Sequence, residues 1–278
     1  MAYDTNAGEA ATDESEKRLR MSEVLRCDAG GPVAHVRLNR PEVRNALDTD
    51  LIEQLRSTFE RLSADTAVRA IVLSGEGKAF CGGADVAMMR ESLDLTHEEN
   101  VAGARALSAM FRAIDGCPKP VIARVHGASL GGGAGLIAVC DIAIAASDAI
   151  FGFTEVKLGI IPAVISPFVL AKIGASHARA LFLTGERFDA KRAQAIGLVH
   201  EVVVGDTLDV AIERVVNEIL SAGPNAIAAI KKLIAGVRET PYDETLELTA
   251  GATAAQRVSD EGQEGLRAFL EQRPPGWK

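Results

Sequence analysis

The segment Gly127-Ala128-Ser129-Leu130-Gly131-Gly132-Gly133-Ala134-Gly135 follows the β-like run Val121 to Val125 and precedes a helix-compatible Leu136 to Cys140. Three chemistries fit its residue types. The GxSxG at Gly127 to Gly131 has the form of a nucleophile elbow, with His177 and His200 downstream, but a Gly-rich loop matches so short a motif readily and no HGGG-type segment precedes it. Gly133 to Ala138 fits GxGxxA, yet it lies inside the expected helix rather than at the turn after an N-terminal strand. The third reading is a backbone site, in which glycines at a strand-to-helix turn let N–H groups approach a ligand oxygen with no side chain in the way. A second small-residue turn, Lys78-Ala79-Phe80-Cys81-Gly82-Gly83-Ala84-Asp85, follows the run Ala70 to Ser74. Two such turns can supply paired N–H donors to one oxygen, an oxyanion hole for a carbonyl that gains negative charge. Cys81 has neither basic neighbours nor a nearby His in sequence, so packing is favoured over a nucleophilic role.

Strands and helices must hold these turns. Short β-like runs recur at Val33 to Leu38, Ala70 to Leu73, Val121 to Val125, Ile142 to Ala145 and Val199 to Val203. Between them Leu47, Leu51, Ile52, Leu55, Phe59 and Leu62 share one helical face, with Asp48 and Thr49 available as caps. Strands alternating with helices indicate an α/β arrangement, and no strict sequence repeat accompanies it. After about Gly205 the apolar spacing is helical, through Leu208 to Leu220, Ala226 to Val237 and Gly262 to Leu270. The expected organisation is a disordered acidic tail over residues 1–20, an α/β core over 21–205 and a helical region over 206–278.

Composition excludes several function classes. The chain of 278 residues is 47% hydrophobic and 24% charged, as ordinary globular proteins are. A net charge of −8, with nine Phe, two Tyr and one Trp, supplies neither the basic field nor the stacking surface of a nucleic-acid binder. An anionic membrane surface is excluded by the same charge, and no apolar run reaches the length of a membrane span. Cys27, Cys81, Cys117 and Cys140 form no metal-ligand or dithiol spacing. Free thiols in a reducing cytoplasm are expected, with no metal. The first 20 residues carry five acids, three bases and no apolar block, unlike a signal peptide.

The ordered blocks Asn39-Arg40-Pro41, Arg44-Asn45-Ala46-Leu47, Ala79 to Asp85, His126 to Gly133 and Cys140-Asp141 closely resemble the crotonase superfamily of enoyl-CoA hydratases and isomerases. Phe151-Gly152, Glu155, Lys157 to Pro162, Leu183-Thr184-Gly185 and Ala195 to Val199 extend the resemblance, which runs from about residue 22 to 274. It implies a crotonase-like spiral of ββα units with a helical C-terminal oligomerisation region, assembling as a homotrimer or a dimer of trimers. It also implies an acyl-CoA thioester as substrate, with CoA entering as part of that substrate and no separate cofactor. The oxyanion donors are then the backbone N–H groups of Ala84 and Gly132, and Glu155 is a catalytic carboxylate. Substrate contacts are implied at Arg40, Arg44, Ala46, Ala79, Asp85, Val86, Met88, Met89, Gly131 and Pro162. Phe269 and Arg273 would reach the CoA of a neighbouring subunit. Residues Val86 to Asn100 are expected as a loop shaping the acyl pocket.

One departure bears on the reaction. Hydratases of the family carry a second glutamate two residues after the glycine triplet, where this chain has Gly135. Adding water across an enoyl thioester suits two carboxylates, whereas moving a double bond needs one. Against that, the run Pro162-Ala163-Val164-Ile165-Ser166-Pro167 with Gly135-Leu136 resembles bacterial methylglutaconyl-CoA hydratases. Hydration is therefore placed ahead of isomerisation. A non-catalytic, binding member of the fold is a third reading, and its RNA-binding form is opposed by the acidic charge.

Overall fold

The computed structural model describes residues 24–277, so the tail expected over 1–20 lies outside the described residues. The β-like runs, with Leu25–Asp28 added at one edge, form the frame. Leu25–Asp28 (β1), Val33–Leu38 (β2), Ala70–Gly75 (β3), Val121–Val125 (β5), Ile142–Ala146 (β7) and Glu201–Val203 (β10) make one six-stranded sheet in the order β1-β2-β3-β5-β7-β10. Only β1 is antiparallel to its neighbour. Parallel strands need crossovers, and the crossovers are what build the site.

After β3, β5 and β7 the chain makes a second strand of three residues: Ala79–Cys81 (β4), Ala128–Leu130 (β6) and Ile150–Gly152 (β8). These three pair in parallel, and Arg187–Asp189 (β9) adds antiparallel to β8, giving a second sheet of order β4-β6-β8-β9. Helices follow each pair of strands: Val86–Glu91 (α2) and His97–Asp115 (α3) after β4, Gly132–Val139 (α4) after β6, and Ser166–Thr184 (α5), kinked at Gly174, after β8. The unit is ββα three times over, the mixed α/β spiral expected from the resemblance.

Thr49–Ala64 (α1) connects β2 to β3. Asp48 caps it by accepting the Leu51 N–H at 2.8 Å, and Leu51, Ile52, Leu55, Phe59 and Leu62 bury its apolar face. Each such side chain contributes about 1.5–3 kcal/mol of burial. The stretch expected as a loop over 86–100 is instead mostly helical. Asp85 caps α2 through the Ala87 N–H, and Thr96 with Glu99 forms a capping box that starts α3. Those local caps stabilise helical turns where apolar periodicity is weak.

Ala190–Ala195 (α6) leads into β10, and from Leu208 onward every element is helical. Leu208–Ser221 (α7) is part of the core, because Leu208, Ala211, Ile212 and Val216 pack with Val72, Ile122 and Ile144 of the large sheet. Among the described residues, Pro224–Glu239 (α8) and Thr245–Val258 (α9) bury no residue, and Asp260–Leu270 (α10) buries only Ala268. Lys231 ties α8 to the core: its Nζ lies 2.7 Å from Asp141 Oδ2, which also accepts the Val121 N–H at 2.7 Å. Among the described residues, no helix is long and apolar enough to cross a membrane.

Candidate active site

The small sheet brings the two glycine turns side by side. Cys81 of β4 pairs with Ser129 of β6, and Ala84 and Gly132 each stand three residues beyond that pair. Leu130 pairs with Gly152 of β8, and Glu155 stands three residues past Gly152. Three parallel strands therefore deliver the two donor residues and one carboxylate at their carboxyl ends, the edge of a parallel sheet where ligands bind.

Backbone pairing orients the donors. Leu47 bridges Ala84 in parallel, its N–H donating to Gly83 O at 2.7 Å and its carbonyl accepting the Asp85 N–H at 2.9 Å. In such a bridge the N–H of the intervening residue, Ala84, points away from Leu47. Gly132 is the first residue of α4, so its N–H has no intrahelical acceptor. Gly83 adopts φ +100°, and a Cβ there would stand 2.9 Å from Leu130 O, which is how closely the two turns approach. The triplet is cramped on every side. A Cβ on Gly131 would meet Glu155 Oε1 at 3.1 Å, one on Gly132 would meet Leu47 Cδ1 at 2.9 Å, and one on Gly133 would meet Cys81 O at 2.2 Å.

Glu155 opens a 3-10 turn, Glu155–Leu158, and its carboxyl lies against Gly131. The side chain is half-buried, and its Oε2 is buried without a hydrogen-bond partner among the described residues. Burial raises its pKa above the ordinary glutamate value, against a smaller opposing contribution from its own backbone N–H. A carboxylate with one buried oxygen left unpaired in a poorly solvated place is suited to exchanging protons.

A cavity of about 290 Å³ opens beside Ala84, lined also by Arg44, Ala46, Gly82, Asp85, Val86 and Leu130; Gly132 and Glu155 are not among its lining residues. Arg44 and Asn45 both adopt the left-handed conformation, at φ 58° and 56°. Strain of this kind persists where surrounding bonds fix it. Here buried Asn45 does so: its Nδ2 donates to Glu76 O and Ala79 O, each at 2.8 Å, and its Oδ1 accepts the Arg40 N–H at 2.8 Å. Nothing in the residue pattern assigned Asn45 a role, although the tolerance of Asn for this conformation was the available signal.

The other expected contacts divide clearly. Arg40 is held inside the fold, with Nη1 2.8 Å from Asp85 Oδ2 and Nη2 3.0 Å from Asp48 Oδ2. Burial pushes the Asp85 carboxyl up, but the Ala87 N–H and the Arg40 guanidinium outweigh it and hold the pKa below the usual value. Arg40 thus fixes the turn that presents Ala84, while Arg44 is exposed on the cavity wall. Ala79 is buried in β4; Met88, Met89 and Pro162 are half-buried outside the cavity lining. Phe269 is 81% exposed on α10, and Arg273 pairs with Glu264 and Glu271 of its own chain. Neither lines the cavity.

Ser129 is fully buried within β6 and its hydroxyl has no partner, so the GxSxG is no nucleophile elbow. Burial pushes the Cys81 thiol up to about 12, which leaves it inert. All four cysteines are free thiols, and no three His, Cys, Asp or Glu side chains among the described residues are grouped to hold a metal.

The sequence profile described as Enoyl-CoA hydratase/isomerase matches residues 28–278. The chain belongs to the enoyl-CoA hydratase/isomerase family. A solved enoyl-CoA hydratase of Shewanella pealeana is 38% identical to this family member, with a TM-score of 0.90 over 95% of this chain and 99% of its own. The crotonyl-CoA hydratase of Syntrophomonas wolfei is 34% identical over 85% of this chain and 90% of its own. The peroxisomal Delta(3,5)-Delta(2,4)-dienoyl-CoA isomerase of Arabidopsis thaliana is 32% identical over 95% and 98%. Relatives named as hydratases and one named as an isomerase both match this enoyl-CoA hydratase/isomerase family member, and its own residues must separate the two reactions.

Proposed function

We propose that the protein hydrates an enoyl-CoA through a thioester enolate held by the Ala84 and Gly132 N–H groups. The observation that carries this reading is the Glu155 carboxyl lodged against Gly131, one residue from a donor, with a buried oxygen that has no partner. Ionised Glu155 takes a proton from water as the water oxygen bonds to Cβ and the C=C pair moves onto the thioester oxygen. The enolate then collapses, and the same proton passes from Glu155 to Cα. One water is consumed, and a single carboxyl serves as base and then acid.

The acyl group we assign is 3-methylglutaconyl, on the run Pro162 to Pro167 together with Gly135-Leu136. Exposed Ile230, Ile234 and Leu246 on the C-terminal helices support a homotrimer or dimer of trimers, with residues 206–278 as the oligomerisation region. A second reading, double-bond isomerisation, is favoured by the lone carboxylate: Glu155 would remove a proton at Cα of a 3-enoyl-CoA and return one at Cγ. Mass spectrometry after incubation with 3-methylglutaconyl-CoA, crotonyl-CoA and a 3-enoyl-CoA separates them. Gain of one water is the expected result, and a shifted double bond at unchanged mass would replace hydration by isomerisation.

A further inference from the structure

The position where relatives with two carboxylates carry the other glutamate is closed in this chain. Gly135 lies one turn along α4 from Gly131, whose Cα faces the Glu155 carboxyl, and its N–H donates to Gly131 O at 3.0 Å. A Cβ on Gly135 would stand 2.4 Å from Ile165 Cγ2, 3.1 Å from Ile165 Cβ and 3.1 Å from Phe111 Cζ. Both neighbours are core residues, Phe111 fully buried on α3 and Ile165 on the segment that runs from Glu155 into α5. Phe111 is held in turn by Phe168, with ring centroids 5.9 Å apart. The volume is therefore filled by packed hydrocarbon.

We propose that Ile165, backed by Phe111, is the residue that commits this site to a single carboxylate, because its side chain occupies the volume that a side chain at position 135 would need. Resting on the assignment of Glu155 above, this makes Ile165 a positioning residue: it excludes a second acid and presents an apolar surface one helical turn from the first. Glu155 is left to move every proton. The buried, unpartnered Oε2 and the direction in which burial moves the Glu155 pKa agree with a dry surround.

The test is a set of variants in the full chain: Gly135→Ala, Gly135→Glu, Ile165→Ala, Gly135→Ala/Ile165→Ala and Gly135→Glu/Ile165→Ala, with Glu155→Gln beside them. In thermal melts Gly135→Ala lowers the Tm in the parent and costs less in the Ile165→Ala background, since the 2.4 Å clash with Ile165 Cγ2 is then gone and only the 3.1 Å approaches to Cβ of residue 165 and to Phe111 Cζ remain. Equal losses in both backgrounds would overturn the steric claim, and this readout needs no turnover. With crotonyl-CoA the parent's acid limb reports Glu155, and Ile165→Ala moves its midpoint down as water reaches the carboxyl. An unmoved midpoint would overturn the positioning role. The Gly135→Glu/Ile165→Ala protein, where it folds, adds a second ionisation to the pH–rate profile; a profile with one ionisation would show that position 135 does not reach the reacting centre, and would also overturn the proposal. Glu155→Gln that turns over normally defeats the assignment of Glu155 instead, which keeps the two failures apart.

Discussion

At the scale of residues, a half-buried glutamate with one buried oxygen unpaired is an energetic burden that a purely structural account would not retain. Because the folded-state pKa of Glu155 is raised, its contribution to stability is fully present below the ordinary glutamate value and is lost as pH rises through the folded value. At neutral pH the ionised side chain therefore weakens the fold. Glu155→Gln is expected to raise the Tm by a few degrees at pH 7, with the gain shrinking as pH falls below the ordinary glutamate value, where the side chain is protonated in both states. Melting curves across that range check the sign. Asn45 is the opposite case, a buried side chain with three satisfied bonds. Asn45→Ala strands the Arg40 N–H and the carbonyls of Glu76 and Ala79, and is expected to cost at least about 1–3 kcal/mol. It also releases Arg44 from its left-handed conformation, so KM for acyl-CoA should rise in steady-state assays.

At the scale of elements, the three-residue strands do the positioning. The long parallel strands and α1 were legible in the sequence, because Val, Ile and Leu recur there at the spacing each structure needs. The strands β4, β6 and β8 were not. Ala-Phe-Cys and Ala-Ser-Leu carry no period, and their pairing depends on the large sheet stacking the three turns in register. Nor was the fill at position 135 legible: Gly135, Ile165 and Phe111 lie far apart in sequence and meet only when α3, α4 and the start of α5 pack together. The helices over 86–100 were within reach, since Asp85 and the Thr96 to Glu99 pair are ordinary capping signals. The Asp141 latch is likewise tertiary. Lys231→Met removes a partly buried ion pair and is expected to cost about 1.5–3 kcal/mol. Hydrogen exchange should then quicken in α8 to α10 while β3, β5 and β7 stay protected; uniform protection would contradict the latch.

At the scale of the whole molecule, α8 and α9 carry apolar residues that none of the other described residues covers, unlike α7, whose face is buried on the sheet. If another copy covers them, Ile234→Glu with Leu246→Glu should convert the assembly to monomers in sedimentation velocity; an unchanged sedimentation coefficient would place the contact elsewhere. The central claim is narrower and needs no choice of acyl group: one carboxylate and two backbone N–H groups, brought to one edge by three adjacent strands, make and quench a thioester enolate. The most direct test is deuterium incorporation at Cα of the acyl-CoA product formed in D₂O, followed by mass spectrometry for the parent and for Glu155→Gln. The account predicts that incorporation falls about 10³-fold in the variant, with the fold retained. Incorporation at the parent's rate would show that another group moves the Cα proton, and would contradict it.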